Sequence, residues 1–290
     1  MSSLPSFDGT PLAVTRTGPP DGSPVVLVHG LGMSTDSWGE VPARLAERHH
    51  VVRYDLRGHG RSGSAGPGGY ELQAHARDLA EVLRSCLPDG RRAVLVGHSL
   101  GGGIILAAAR ETDALDRTAG VVFAGSGGSG VTAPGLPVRG LPPVLAHGVR
   151  GTWFGVLRAT TRLGRRIRSA QWVADRMVRR IGVGPTASQE VVAHVRDSFL
   201  TTRAPALSAT TLASLNHDGT RLAPSLAMPT LILHGTHDPE VTEEELRELL
   251  DALPDGERVE YPDAGHMLPL AHPAEVADQI ARWTRQVQAA

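Results

Sequence analysis

In the stretch Ala93-Val94-Leu95-Val96-Gly97-His98-Ser99-Leu100-Gly101-Gly102-Gly103-Ile104-Ile105, four apolar residues run into a serine held between two glycines, and an apolar segment resumes beyond. The run 93–96 is short, continuous and β-branched, as in a strand buried on both faces, and a helix is expected over 100–110. A serine hydroxyl is a poor nucleophile unless a sharp turn holds it clear of the backbone. Flanking glycines let the neighbouring chain pass without a Cβ clash, which is the physical content of the G-x-S-x-G pattern at a strand-to-helix turn. A phosphate-binding loop would call for a lysine after the glycines, and none follows. Ser99 is therefore the candidate nucleophile.

Outward from this unit, strands are expected at 11–17, 25–28, 51–54, 120–124, 230–233 and 258–261, and helices at 41–48, 72–87, 243–252 and 273–287. Thr242 and Glu245 have capping-box spacing, and Pro273 suits the first turn of the last helix. Strands alternating with helices imply an α/β fold: a mostly parallel central sheet flanked by helices. The rhythm fails between about residues 125 and 228, where a Gly/Ser/Pro-rich passage leads into helical patterns with no strand. The expected organisation is a core of residues 1–125 and 229–290, interrupted by an inserted helical cap at 126–228.

A serine nucleophile needs a base, and the base needs an orienting carboxylate. Thr230-Leu231-Ile232-Leu233-His234-Gly235-Thr236-His237-Asp238 is a buried strand running into a turn, which carries the Asp238 carboxylate to the C-terminal edge of the sheet. Val259-Glu260-Tyr261-Pro262-Asp263-Ala264-Gly265-His266 repeats the arrangement and ends on His266. The order Ser, Asp, His suits this architecture, with Asp263 as a rival carboxylate and His98, His237 and His272 read as structural neighbours. Negative charge on the attacked carbonyl oxygen calls for backbone N–H donors. The amides of Leu31, in His29-Gly30-Leu31-Gly32, and of Leu100 are the expected oxyanion hole.

Composition narrows the field. Among 290 residues, 29 basic and 30 acidic side chains leave a net charge of −1, which offers no general grip on a nucleic-acid backbone. Hydrophobic residues at 41% and charged residues at 20% are globular proportions. The single cysteine, Cys86, can form neither an internal disulfide nor a cysteine-based zinc site, so a reducing, cytoplasmic setting is expected. Met1 is followed by Ser2, Ser3, Leu4 and Pro5 without a basic start, and no apolar run reaches membrane-spanning length, so neither secretion nor membrane spanning is expected. Every basic residue is arginine, which excludes chemistry on a lysine amine.

Taken together, His29-Gly30-Leu31-Gly32, Tyr54-Asp55-Leu56-Arg57-Gly58-His59-Gly60-Arg61-Ser62, Gly97-His98-Ser99-Leu100-Gly101-Gly102, Gly235-Thr236-His237-Asp238 and Gly265-His266 resemble the α/β-hydrolase superfamily, specifically its capped serine esterase, lipase and haloperoxidase-like branch. The resemblance covers nearly the whole chain and implies hydrolysis of carboxylic esters through an acyl-enzyme, with no metal or organic cofactor. It also implies that Asp55, Arg57 and His59 shape a loop beside the site. Relatives that open epoxides or remove halides carry aspartate where this chain has Ser99, the hydroxynitrile lyases use a lysine, and the proline-releasing peptidases use cap glutamates. All four chemistries are disfavoured here. Thioester hydrolysis, acyl transfer, perhydrolysis and C–C cleavage share the same three residues and stay open, as does a receptor that kept the pocket.

Within the insertion, Trp153, Phe154, Trp172, Met177 and Phe199 are candidates to line an apolar acyl slot, joined by Met33 and Met267 from loops beside the triad. Between His147 and Gly182 stand nine arginines (150, 158, 162, 165, 166, 168, 176, 179 and 180) against one acid, Asp175. Over 149–167 the apolar Val149, Trp153, Val156, Leu157, Leu163 and Ile167 share one face at helical spacing and the arginines cluster on the other, which is expected to be simply solvated, to contact anionic lipid at a membrane surface, or to steer anionic substrates such as acyl thioesters. The expected partners are otherwise a small acyl ester and water.

Overall fold

The computed structural model describes residues 1–109, 112–128, 171–215 and 217–289. Eight strands form one sheet: β1 (Ser2–Pro5), β2 (Pro11–Thr17), β3 (Ser23–Val28), β4 (His49–Tyr54), β5 (Ala93–His98), β6 (Thr118–Ala124), β7 (Thr230–Gly235) and β8 (Gly256–Tyr261). Their order is β1-β2-β4-β3-β5-β6-β7-β8. From β4 to β8 every pairing is parallel, whereas β1 and β2 add an antiparallel margin. The sequence reading anticipated all of these strands except β1, which pairs only with β2.

The apolar runs are continuous because both faces of the sheet are covered. Val26, Val28, Leu95, Val121 and Phe123 point to one side, toward α2 (Leu72–Cys86) and α3 (Leu100–Ala108). Their alternates Val25, Leu27, Val94, Val96, Val122 and Leu233 point to the other side, where they meet Trp38, α1 (Val41–Leu45) and Ile280 and Trp283 of the last helix. Each large apolar side chain so buried stabilises the fold by roughly 1.5–3 kcal/mol. Four helix ends differ from expectation: α2 stops one residue early at Cys86, and the last helix runs on to Ala289. Helix α1 stops at Leu45 because the chain turns within three residues into β4, and α3 closes at Ala108, with residues 110 and 111 outside the described set. A short helix, α4 (Thr112–Asp116), precedes β6.

Between β6 and β7 the described chain is helical: α5 (Gln171–Val178), a π-helical turn (Arg179–Val183), α6 (Gln189–Thr201), α7 (Ala204–Leu215) and a short 3-10 turn (Ala223–Ser225). This is the described part of the inserted helical cap. It is tied to the core by Thr202 Oγ1 donating to Gly32 O at 3.0 Å, by Arg203 donating to Ser62 O at 2.8 Å, and by His75 with Thr210 at 3.2 Å. The core closes with α8 (Glu243–Ala252), α9 (Leu268–Ala271) and α10 (Pro273–Ala289). Helix α8 begins on the capping box read from the sequence, with the Thr242 hydroxyl accepting from the Glu245 amide and the Glu245 carboxylate accepting from the Thr242 amide. Among the described residues no helix is long and apolar enough to cross a membrane.

Candidate active site

Strand β5 ends at His98, and Ser99 stands alone between strand and helix with φ 52° and ψ −119°. A left-handed φ in a residue with a Cβ costs roughly 1–3 kcal/mol and persists only where the surroundings enforce it. Here they do. The Ser99 amide donates to Ala124 O (3.2 Å), its carbonyl accepts from the Gly102 amide (2.9 Å) and from the Ser126 hydroxyl (2.8 Å), and the flanking chain is too tight for any side chain. A Cβ on Gly97 would lie 2.5 Å from Gly102 N, and one on Gly101 would lie 2.1 Å from Val28 O. The hydroxyl is thereby held at the rim where β5, β6 and β7 end.

The other two expected residues reach the same rim. The loop after β7 closes with the Asp238 amide donating to Gly235 O at 3.0 Å, and the loop after β8 brings His266, whose amide donates to Val183 O of the π-helical turn at 3.2 Å. Asp238 Oδ2 is 2.9 Å from His266 Nδ1, with both side chains buried. Asp238 Oδ1 accepts from the amides of Glu240 (2.8 Å) and Val241 (3.1 Å). Burial alone would push the Asp238 carboxyl up, but His266 and these two amides outweigh it and hold it below the ordinary carboxylate range. Burial likewise disfavours a charged His266, but Asp238 and then Glu240 more than reverse this and raise it to about 9. The rival Asp263 is exposed and faces His237 at 3.7 Å, so it is not the carboxylate that meets His266.

His98 contacts the backbone of the site: its Nε2–H donates to His266 O at 3.1 Å, and burial, aided by the charge on His266, lowers its pKa to about 3. The loop 29–33 crosses the elbow closely enough that a Cβ on Gly30 would lie 3.2 Å from Ser99 Cβ. Met33 N–H closes that turn on Gly30 O at 3.3 Å, with the Leu31 amide inside it. Leu100 is the first residue of α3, where amides lack intrahelical acceptors. Both leucines are buried.

The second motif stretch builds a buried anchor. Arg57 forks onto Asp78 through two 2.6 Å bonds, reaches Asp8 at 2.9 Å, and is fully buried along with Asp78. Asp55 accepts from the amides of Thr35 (2.7 Å) and Arg61 (2.8 Å), and His59 sits on Arg57 O at 3.0 Å.

Ser99 and His266 line one cleft with Leu72, Leu100, Val241 and Glu240. Ser126, Ser214 and Glu245 add polar atoms to its wall. Of the expected acyl-slot residues, Met33 and Met267 are buried with Val183, Val191, Val192 and Val195 in an apolar cluster between the loops and the cap helices, with Phe199 packed against it. Trp172 is 66% exposed. Trp153, Phe154, the two-sided segment 149–167 and the arginines at 150, 158, 162, 165, 166 and 168 lie outside the described residues, as does the side chain of Met177. Arg176 and Arg180 are exposed, and Arg179 bonds Ala187 O and Gln189. The residue missed by sequence reading is Glu240, whose Oε2 lies 3.3 Å from His266 Nε2. Its signal was position alone, two residues beyond the aspartate in the same turn. Among the described residues no group of three His, Cys, Asp or Glu side chains is placed to hold a metal ion.

A family model described as the alpha/beta hydrolase family matches residues 25–279. This chain belongs to that family. Among solved members of the hydrolase fold, an esterase from Thermogutta terrifontis superposes with a TM-score of 0.76 at 28% identity, covering 99% of this chain and 98% of that one. An enol-lactonase from Burkholderia xenovorans LB400 superposes with 0.73 at 26% identity over 100% of both chains. In sequence, a non-heme chloroperoxidase of Streptomyces lividans is 38% identical over 104 residues, which are 36% of this hydrolase-family chain and 37% of that protein. The chain thus matches little more than a third of that relative's length.

Proposed function

We propose that this α/β-hydrolase-family protein is a serine hydrolase that cleaves carboxylic esters with an apolar acyl portion through an acyl-enzyme. The observation that carries the reading is the strained Ser99 elbow sharing a cleft with His266, itself held at 2.9 Å by a buried Asp238. Ser99 Oγ attacks the acyl carbon as its proton passes to His266 Nε2. Asp238 fixes the ring with Nδ1–H toward the carboxylate and stabilises the imidazolium that forms. The Leu31 and Leu100 amides receive the oxyanion, His266 returns the proton to the leaving alcohol, and a water activated by the same nitrogen then releases the acid. Leu72, Leu100 and Val241 offer the acyl group an apolar wall, and the Met33 and Met267 cluster beneath the cap would border its far end. The similarity to an esterase and an enol-lactonase, both enzymes of ester bonds, supports the choice of bond.

The test is turnover of an activated ester by the wild-type protein and by Ser99→Ala, with folding monitored by thermal melting. A folded, inactive variant is expected; retained turnover contradicts the reading. Comparing esters with thioesters of matched chain length separates ester cleavage from the other reactions open to the same three residues.

A further inference from the structure

The ester-hydrolase reading needs the Leu31 amide held in place, yet the loop that carries it has little stiffness of its own. Leu31 stands between Gly30 and Gly32, two residues without a Cβ, and Gly32 has a left-handed φ of 70°. The turn closes through Met33 N–H on Gly30 O at 3.3 Å, longer than the ~3.2 Å limit of a good N–H···O bond. What holds the loop therefore comes from its two sides. Gly30 lies against the elbow, where an added Cβ would be 3.2 Å from Ser99 Cβ. Gly32 lies against helix α6 of the cap, where an added Cβ would be 2.8, 2.9 and 3.0 Å from three atoms of the Phe199 ring.

A hydrogen bond makes the second contact with Gly32. Thr202 Oγ1 lies 3.0 Å from Gly32 O and also 3.0 Å from Ser198 O. Ser198 O already accepts from the Thr202 amide and the Thr201 hydroxyl, each at 3.0 Å, so both its lone pairs are taken and the Thr202 proton goes to Gly32 O. The residues on either side of Gly32 meet the same helix. Leu31 is buried in the cluster against which Phe199 packs, and Met33 is buried with Val191, Val192 and Val195. This stretch of the cap begins at Val183, whose carbonyl accepts from the His266 amide at 3.2 Å. One continuous piece, 183–202, thus runs from the loop of the catalytic histidine to the loop of the oxyanion donor.

Resting on that reading, we propose that Thr202 and Phe199 are positioning residues for the oxyanion hole: the hydroxyl and the ring together hold Gly32, and through it the Leu31 amide, in the orientation that receives the oxyanion. Backbone donors lower the barrier only when they already point at the place where charge develops, because turning them during the reaction costs what they would return. Without the Thr202 hydroxyl, Gly32 O loses its partner and the glycine-flanked peptide units are free to rotate, carrying the Leu31 amide out of line. The contact acts through the loop backbone, on charge that exists only in the transition state. Its loss is therefore read in kcat and leaves ground-state binding alone.

The experiment measures kcat and KM for an activated ester, and the affinity of a trifluoromethyl ketone whose adduct with the serine carries an oxyanion. The proteins are wild type, Thr202→Val, Thr202→Ser, Thr201→Val and Ser99→Ala. Removing an oxyanion donor outright costs about 10²–10³ in kcat, so displacing one is expected to cost Thr202→Val roughly tenfold or more, with KM little changed. The ketone is expected to weaken by the same factor as kcat/KM. Thr202→Ser keeps the hydroxyl and should recover most of the loss. Thr201→Val loses comparable helix-end bonds, to Asp197 O at 3.1 Å and Ser198 O at 3.0 Å, and should match wild type. A kcat loss in Thr202→Val below about tenfold, one confined to KM, or one equalled by Thr202→Ser or Thr201→Val overturns the proposal. If Thr202→Val does not fold, Phe199→Leu, which takes the ring off Gly32, is judged by the same kcat, KM and ketone criteria. Turnover that survives Ser99→Ala removes the serine reading whatever Thr202 shows. An inactive Ser99→Ala beside a wild-type kcat in Thr202→Val removes only the positioning role.

Discussion

Replacing Asp238 by asparagine should abolish most of the activity without removing a single atom of bulk. Asp238 Oδ1 accepts from the backbone amides of Glu240 and Val241, so the asparagine carbonyl is forced to that side and its NH2 group turned toward His266 Nδ1. The amide can only donate there. Nδ1 must then be the acceptor, and the ring proton moves to Nε2, the nitrogen that should accept from Ser99. A triad locked in the wrong tautomer loses about 10⁴ in kcat. The substitution also removes the larger of the two charges that raise His266, so whatever activity is left should have its acid limb at lower pH than wild type. The assay is steady-state hydrolysis of an activated ester near neutral pH, with a thermal melt to confirm folding. A loss smaller than about tenfold in a folded protein would refute the argument that Asp238 sets the tautomer of His266.

Two further substitutions test the frame that presents the site. Arg57→Ala strips the fully buried Asp78 of both its 2.6 Å bonds and should cost about 3–5 kcal/mol in chemical denaturation; a change below about 1 kcal/mol would show that the anchor is dispensable. Gly101→Ala drives a Cβ to 2.1 Å from the carbonyl of Val28, a backbone atom that cannot swing away. It should destabilise the protein by at least about 3 kcal/mol or prevent its accumulation, and a wild-type melting curve would contradict the packing of the elbow against β3.

The sheet and its three candidate residues were legible because the chemistry sits just beyond the ends of strands. In 93–96 and 230–233 the end of an apolar run marks the rim of the sheet, and 258–261 is a mixed edge strand with Arg258 and Glu260 among its four residues, so Ser99, Asp238 and His266 could be placed by reading where each strand stops. Strand β1 escaped notice because Ser2–Pro5 is short, polar and closed by a proline, which a strand tolerates at an edge with a partner on one side only. Glu240 escaped for another reason. A glutamate in a polar turn has the same sequence signature whether it faces solvent or a catalytic ring, and here the turn's own hydrogen bonds to Asp238 aim it inward. The acyl slot was least legible, since helical periodicity names an apolar face without saying what it covers. Met33 and Met267 are indeed buried together, but against the valines of the cap helices, while Trp172 faces solvent.

The central claim is that Ser99 carries the acyl group. Quenching the enzyme with acid during the first turnovers of a slowly deacylating activated ester, followed by peptide mass spectrometry, measures this directly. The account predicts one acyl group per chain, on the peptide containing Ser99 and absent from Ser99→Ala. Hydrolysis that proceeds with no acylated Ser99, or with the acyl group on another residue, would contradict it.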